Sequence, residues 1–176
     1  LCQAHCATDQ PLPDAINRAR VGLTAAGLAP QAVYELDKLL TADGGAYGKA
    51  APTTTSKSET VLFVGDAAAH FGAAGVAAAT KLLAAAGAKT GAIGTGRSTG
   101  FLASTVGLHE TAVKLAQAVV AEVRASGAKE VLVLSPGDRW TFEHVYPSRL
   151  GVEWPAGVTI REAVDVIAEA HANGGL

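Results

Sequence analysis

The chain has 176 residues, 49% of them hydrophobic and 17% charged, with a net charge of −2 and no basic cluster. That composition suits a folded domain of ordinary size with a sizeable core, and argues against a disordered chain or a nucleic-acid-binding protein. No stretch approaches the roughly 18 uninterrupted apolar residues of a membrane span; the most apolar, residues 67–86, is broken by His70, Lys81 and glycines. The first residues, LCQAHCATDQ, lack the basic-then-apolar order of a secretory signal, so a soluble, cytoplasmic protein is expected. A leading Leu and the absence of Met read as a mature form or a fragment. The two cysteines, Cys2 and Cys6, are no disulfide scaffold.

In chain order, Pro13 suits the first turn of a helix that continues through Gly27, with Ile16, Ala19, Leu23 and Ala26 on one face. Pro30 opens a second helix, striped by Val33, Leu36 and Leu40. Residues 42–58 are rich in Gly, Thr and Ser and read as a loop or linker. Beyond it the pattern changes. ETVLFVG, AKTGAIG and AKEVLVL are short apolar runs of strand type. Between them lie AAHFGAAGVAAATKLLAAAG and LHETAVKLAQAVVAEVRASG, two helices closed by Gly87 and Gly127. A short helix at FEHVYPSRL, a brief strand at GVEW and a last helix from Thr159, with Ile160, Val164 and Ile167 inward, complete the pattern. The expected fold is α/β: a parallel sheet with helices on both faces over 59–176, preceded by a helical segment 1–48 and a linker 49–58. Three loops should meet at the carboxyl edge of that sheet, the edge where such folds bind ligands.

Those loops read Gly65-Asp66, Gly94-Thr95-Gly96 and Ser135-Pro136-Gly137-Asp138. Their spacing resembles the cysteine-rich CCG domain of the heterodisulfide reductase B subunit. The iron–sulfur subunits of glycolate oxidase, lactate utilisation and anaerobic glycerol-3-phosphate dehydrogenase belong to the same family. In that family the loops read Gly-Cys, Cys-Cys-Gly and Cys-Pro-x-Cys. Here the glycines and the proline remain, and all five cysteines are replaced. The N-terminus is similar to the C-x2-C-x3-C-P tail of a helical ferredoxin domain. With Pro11 as the family proline, Gln3, Cys6 and Gln10 occupy the thiolate positions, and Ile16, Arg18 and Arg20 follow on the helix. The family usually carries two CCG repeats; one is found here.

Iron–sulfur clusters need soft thiolates, whereas Asp66, Thr95, Ser135 and Asp138 offer hard oxygen and Gly94 no side-chain ligand. No cofactor is therefore expected in the CCG-like domain, and a cluster would need ligands from upstream sequence or from a partner. Cys2, His5, Cys6 and Asp9 share one helical face and are acceptable zinc ligands, or else remnants at a frayed terminus. The loop GTGRSTG offers backbone N–H groups with Arg97, Ser98 and Thr99 to an anion, or is a tight turn. Asp66, His70 and Asp138 form either a metal or acid–base group, or two helix caps beside a packed histidine, and capping is the favoured expectation. Trp140, Phe142 and Tyr146 are either local core or an anchor for a partner, and His109 and His171 are expected at the surface.

The resemblance implies an oxidoreductase subunit whose role is structural or partner-binding, within a redox complex of heterodisulfide reductase or 2-hydroxy-acid oxidase type. Its partners would be other subunits, flavoprotein or ferredoxin-type, with no nucleic acid and no membrane span. The alternative is a small-molecule domain that binds a nucleotide, flavin or anion on the Gly94–Gly100 loop.

Overall fold

Alternation along each strand sends neighbouring side chains to opposite faces, and here both faces are covered. The computed structural model describes residues 10–51 and 57–176. Strands β1 (Thr60–Gly65), β2 (Thr90–Thr95), β3 (Glu130–Val133) and β4 (Thr159–Glu162) form one parallel sheet in the order β2-β1-β3-β4. Val61, Phe63, Ile93, Val131 and Val133 point to the larger core. They meet Leu40 of helix α2 (Gln31–Asp43), and Leu115, Val119 and Val123 of α6 (His109–Ser126). Leu62, Val64 and Leu132 point the other way, onto Leu83 of α4 (Ala73–Ala85) and Ala163 of α8 (Ala163–Ala172). Full burial of each such Val, Leu or Phe contributes about 1.5–3 kcal/mol, so this two-sided sheet dominates stability.

The expected parallel sheet with helices on both faces is observed, and several local expectations shift. The long helix expected from Ala68 divides into α3 (Asp66–Phe71) and α4 at Gly72. GVEW is not a strand; the fourth strand is Thr159–Glu162, and α8 starts only at Ala163. Pro155 and Gly157 place a turn before Thr159, and Thr159, Ile160 and Arg161 then pair with β3. Val164, expected inward, is 62% exposed. After β3, a short helix α7 (Pro136–Trp140) continues as a π-helical stretch, Thr141–Leu150, that buries Phe142, Val145 and Tyr146.

Helix α1 (Leu12–Ala25) docks by a different face from the one its apolar residues mark. Ile16, Ala19 and Leu23 are exposed, while Asn17, Val21 and Thr24 are half-buried. The contact is with α5 (Phe101–Val106) and the turn after it. A Cβ on Gly107 would lie 2.5 Å from the Arg20 carbonyl oxygen, so only glycine lets the two backbones approach this closely. Arg20 Nη1 then donates to the Thr105 carbonyl at 3.0 Å, and Thr24 Oγ1 to that of Val106 at 3.4 Å. Among the described residues no helix is long and apolar enough to cross a membrane.

Candidate functional site

Because β2 and β3 flank β1 on opposite sides, the strand order reverses between β1 and β3, and the crevice of such a fold opens at their carboxyl ends. Asp66 and Asp138 stand at that crevice. Asp66 follows β1 directly; Oδ1 accepts from the Ala67 N–H at 2.9 Å and Oδ2 from the Ala46 N–H at 3.1 Å. The second bond ties the segment after α2 to the sheet edge. Asp138 lies in the first turn of α7, with Oδ2 3.8 Å from the point a Cβ on Gly65 would occupy. Among the described residues no hydrogen bond reaches its carboxyl. Burial, and secondarily the negative charge of Asp66, push its pKa from 3.8 up to about 6.

The capping expectation gives way here. Ser135 caps α7, its Oγ accepting from the Gly137 N–H at 3.1 Å with Pro136 in the first turn, while Asp66 bonds its own neighbour and a distant loop. Behind Asp138 lies Tyr146, whose hydroxyl donates to the Thr99 carbonyl at 2.9 Å. Burial raises that phenol well above its usual range, and the charge of Asp138 adds to the effect.

The Gly94–Gly100 loop spends its donors internally. The Gly94 N–H binds Glu122 Oε2 at 2.8 Å, and that of Gly96 binds the Gly65 carbonyl at 3.2 Å. The Arg97 N–H returns to Gly94, that of Ser98 goes to Gly44, and that of Gly100 to the Ser98 hydroxyl. The Thr95 carbonyl accepts from Ala51 at 2.8 Å, so residues 44–51 lie along this loop. Arg97 Nε pairs with Glu122 Oε1 at 2.5 Å, and the two side chains are only 18% and 5% exposed. Gly94 adopts φ +61°, and a Cβ there would fall on the ring edge of Phe63, closer than van der Waals contact permits. Glycine is therefore required for loop geometry and for packing beneath the crevice.

His70 stacks on Tyr47 at 5.7 Å and meets Phe71 edge-on at 4.6 Å. With Asp66 and Gly96 it borders a hollow of about 160 Å³. The alternative to capping, a metal group of Asp66, His70 and Asp138, is not seen either: among the described residues no three His, Cys, Asp or Glu side chains are placed to hold an ion. The candidate ligands Cys2, His5, Cys6 and Asp9 lie outside the described residues. The aromatic trio divides: Phe142 and Tyr146 are core, and Trp140 is 43% exposed. His109 and His171 are exposed, as expected.

Glu122 is the residue that sequence reasoning missed. A signal was present, because Leu115, Val119, Glu122 and Ser126 fall on one helical stripe and all four are buried. A carboxylate on an apolar stripe needs a partner, and Arg97 is one. Comparisons with protein-family models, with curated proteins and with solved structures return no match.

Proposed function

We propose that this chain is a degenerate, non-catalytic relative of the CCG-type iron–sulfur subunits, with a structural or partner-binding role in a redox complex. One observation carries the reading. The three loops that the resemblance marks as cluster-bearing meet at one edge, where Gly96 bonds Gly65 and Asp138 feels the charge of Asp66. At that spot the chain presents carboxylates, a serine hydroxyl and glycines in place of thiolates, an unsuitable set for a cubane. The engaged N–H groups and the paired Arg97 count against the alternative of an anion cradle on the Gly94–Gly100 loop.

Electrons would then pass through flavoprotein or ferredoxin-type partners. The test is the absorbance spectrum of the purified chain with its iron and acid-labile sulfide content. A colourless protein with well under one cubane's worth of iron is expected. Stoichiometric iron with sulfide would overturn the reading, and a yellow flavin spectrum would favour the alternative.

A further inference from the structure

Strand β4 ends the sheet on one side, and among the described residues no strand lies beyond it. The Thr159 N–H donates to the Lys129 carbonyl at 2.9 Å, and Arg161 stands in the same register opposite Leu132. In a parallel ladder alternate residues aim both backbone groups at one neighbour, so Ile160, between those two, turns its N–H and C=O outward. No hydrogen bond meets them there among the described residues. The opposite outer strand differs, because the chain before β1 meets both ends of β2. The Ala51 N–H donates to the Thr95 carbonyl at 2.8 Å, and the Ser58 hydroxyl to that of Lys89 at 3.5 Å.

A cleft of about 470 Å³ borders the β4 edge, lined by Phe142, Glu143, Glu153, Trp154, Val158 and Ile160 among others. One wall is held firmly. The Trp154 Nε1–H donates to the Val158 carbonyl at 3.0 Å, and the indole stacks on Phe142 at 4.8 Å. No cationic side chain lines the cleft. Of its two carboxylates, Glu143 is answered by Arg139 at 3.1 Å. Glu153 is exposed and has neither ion pair nor hydrogen bond among the described residues. Backbone pairing groups, an apolar recess and an unanswered negative charge thus lie side by side.

We propose that β4 accepts an extended peptide segment of a partner protein, which joins the sheet as an added strand. An apolar side chain would fill the recess against Trp154. A basic one two residues away, and so on the same face of the added strand, would meet Glu153. A second copy of this chain suits the edge less well, since two-fold pairing of β4 would set two acidic clefts together with no cation lining either. The surface shares no residue with the three loops at the carboxyl edge, so it stands apart from the reading of those loops.

The experiment titrates the intact chain with the blocked peptide Ser-Leu-Thr-Lys-Thr-Ser, read by calorimetry and by backbone amide exchange. Saturable one-to-one binding is expected, and the Ile160 amide should become protected from exchange. Exchanging the peptide's lysine for glutamate should weaken binding about tenfold. Glu153→Gln should weaken the lysine peptide about threefold, the scale of an exposed ion pair, and should leave the fold intact because Glu153 is exposed. Two further peptides are N-methylated at alternate residues, one on each edge of the strand. The one methylated on the pairing edge should bind about tenfold more weakly, and the other should bind as before. Absence of saturable binding, an unprotected Ile160 amide, or equal affinity of the two methylated peptides would overturn the proposal. So would a glutamate peptide that binds as tightly, or affinity unchanged by Glu153→Gln. Ile160 protection in a self-associated chain without peptide would also overturn it, by assigning the edge to a second copy.

Discussion

Replacing Asp138 with Asn removes the least comfortable charge at the sheet edge while keeping the side chain's shape. The folded-state pKa of about 6 lies above the reference 3.8, so folding disfavours the ionised form. Two units, at about 1.36 kcal/mol each, set the cost near 3 kcal/mol, and partial solvent access lowers this to about 2–3 kcal/mol. The sign follows from proton uptake. Between about pH 4 and 6 the native state binds more protons than the unfolded chain, so wild-type stability should fall as pH rises through that window. Asp138→Asn should lack that slope, match wild type below pH 4 and exceed it at neutral pH by about 2–3 kcal/mol. For a chain of this length the gain corresponds to a Tm increase of about 5–10 °C. Urea denaturation from acid to neutral pH is the assay. A second arm uses Asp66→Asn, in which the Asp138 pKa read by carbon NMR should drop yet stay raised, because burial is the larger cause. A variant no more stable than wild type at neutral pH would refute the reasoning, since it would mean that the Asp138 carboxylate has a stabilising partner.

Three further substitutions probe the loop beneath the crevice. Arg97→Ala removes a charged partner of the buried Glu122 and should cost about 2–3 kcal/mol in urea melts; a neutral result would show the pair to be dispensable. Gly94→Ala combines a left-handed φ with overlap onto Phe63, and should cost about 3 kcal/mol or more or abolish soluble expression; wild-type stability would refute the packing account. Tyr146→Phe leaves the Thr99 carbonyl without its hydroxyl donor and should cost about 1–2 kcal/mol, measured by thermal melts at neutral pH.

Much of the fold was legible in the chain itself. The runs around Val61–Val64 and Val131–Val133 are short, β-branched and flanked by turn residues, so they read as strands without any knowledge of their partners. The stripe along α6 and its closing Gly127 likewise announced a helix packed on a sheet. The meeting of three loops at one edge followed from strand–helix alternation and the carboxyl-edge rule. The roles of the residues there did not follow. Asp66 and Asp138 are both acids just after strands, yet one is bonded to Ala46 and the other lies in a partly buried, charge-repelled place. The face by which α1 docks was misleading, because approach at Gly107 and bonds to two carbonyls outweighed the burial of Ile16 and Leu23. The fourth strand was missed because Thr159–Glu162 is only four residues long and gains its identity from pairing with β3. Local pattern records which side chains favour burial and which backbones can turn. Which acid meets which base, and which carboxyl loses its water, depends on contacts between residues 20 or more apart in sequence, such as Asp66 with Ala46 and Arg97 with Glu122. Those contacts exist only once the sheet has closed the loops that separate them.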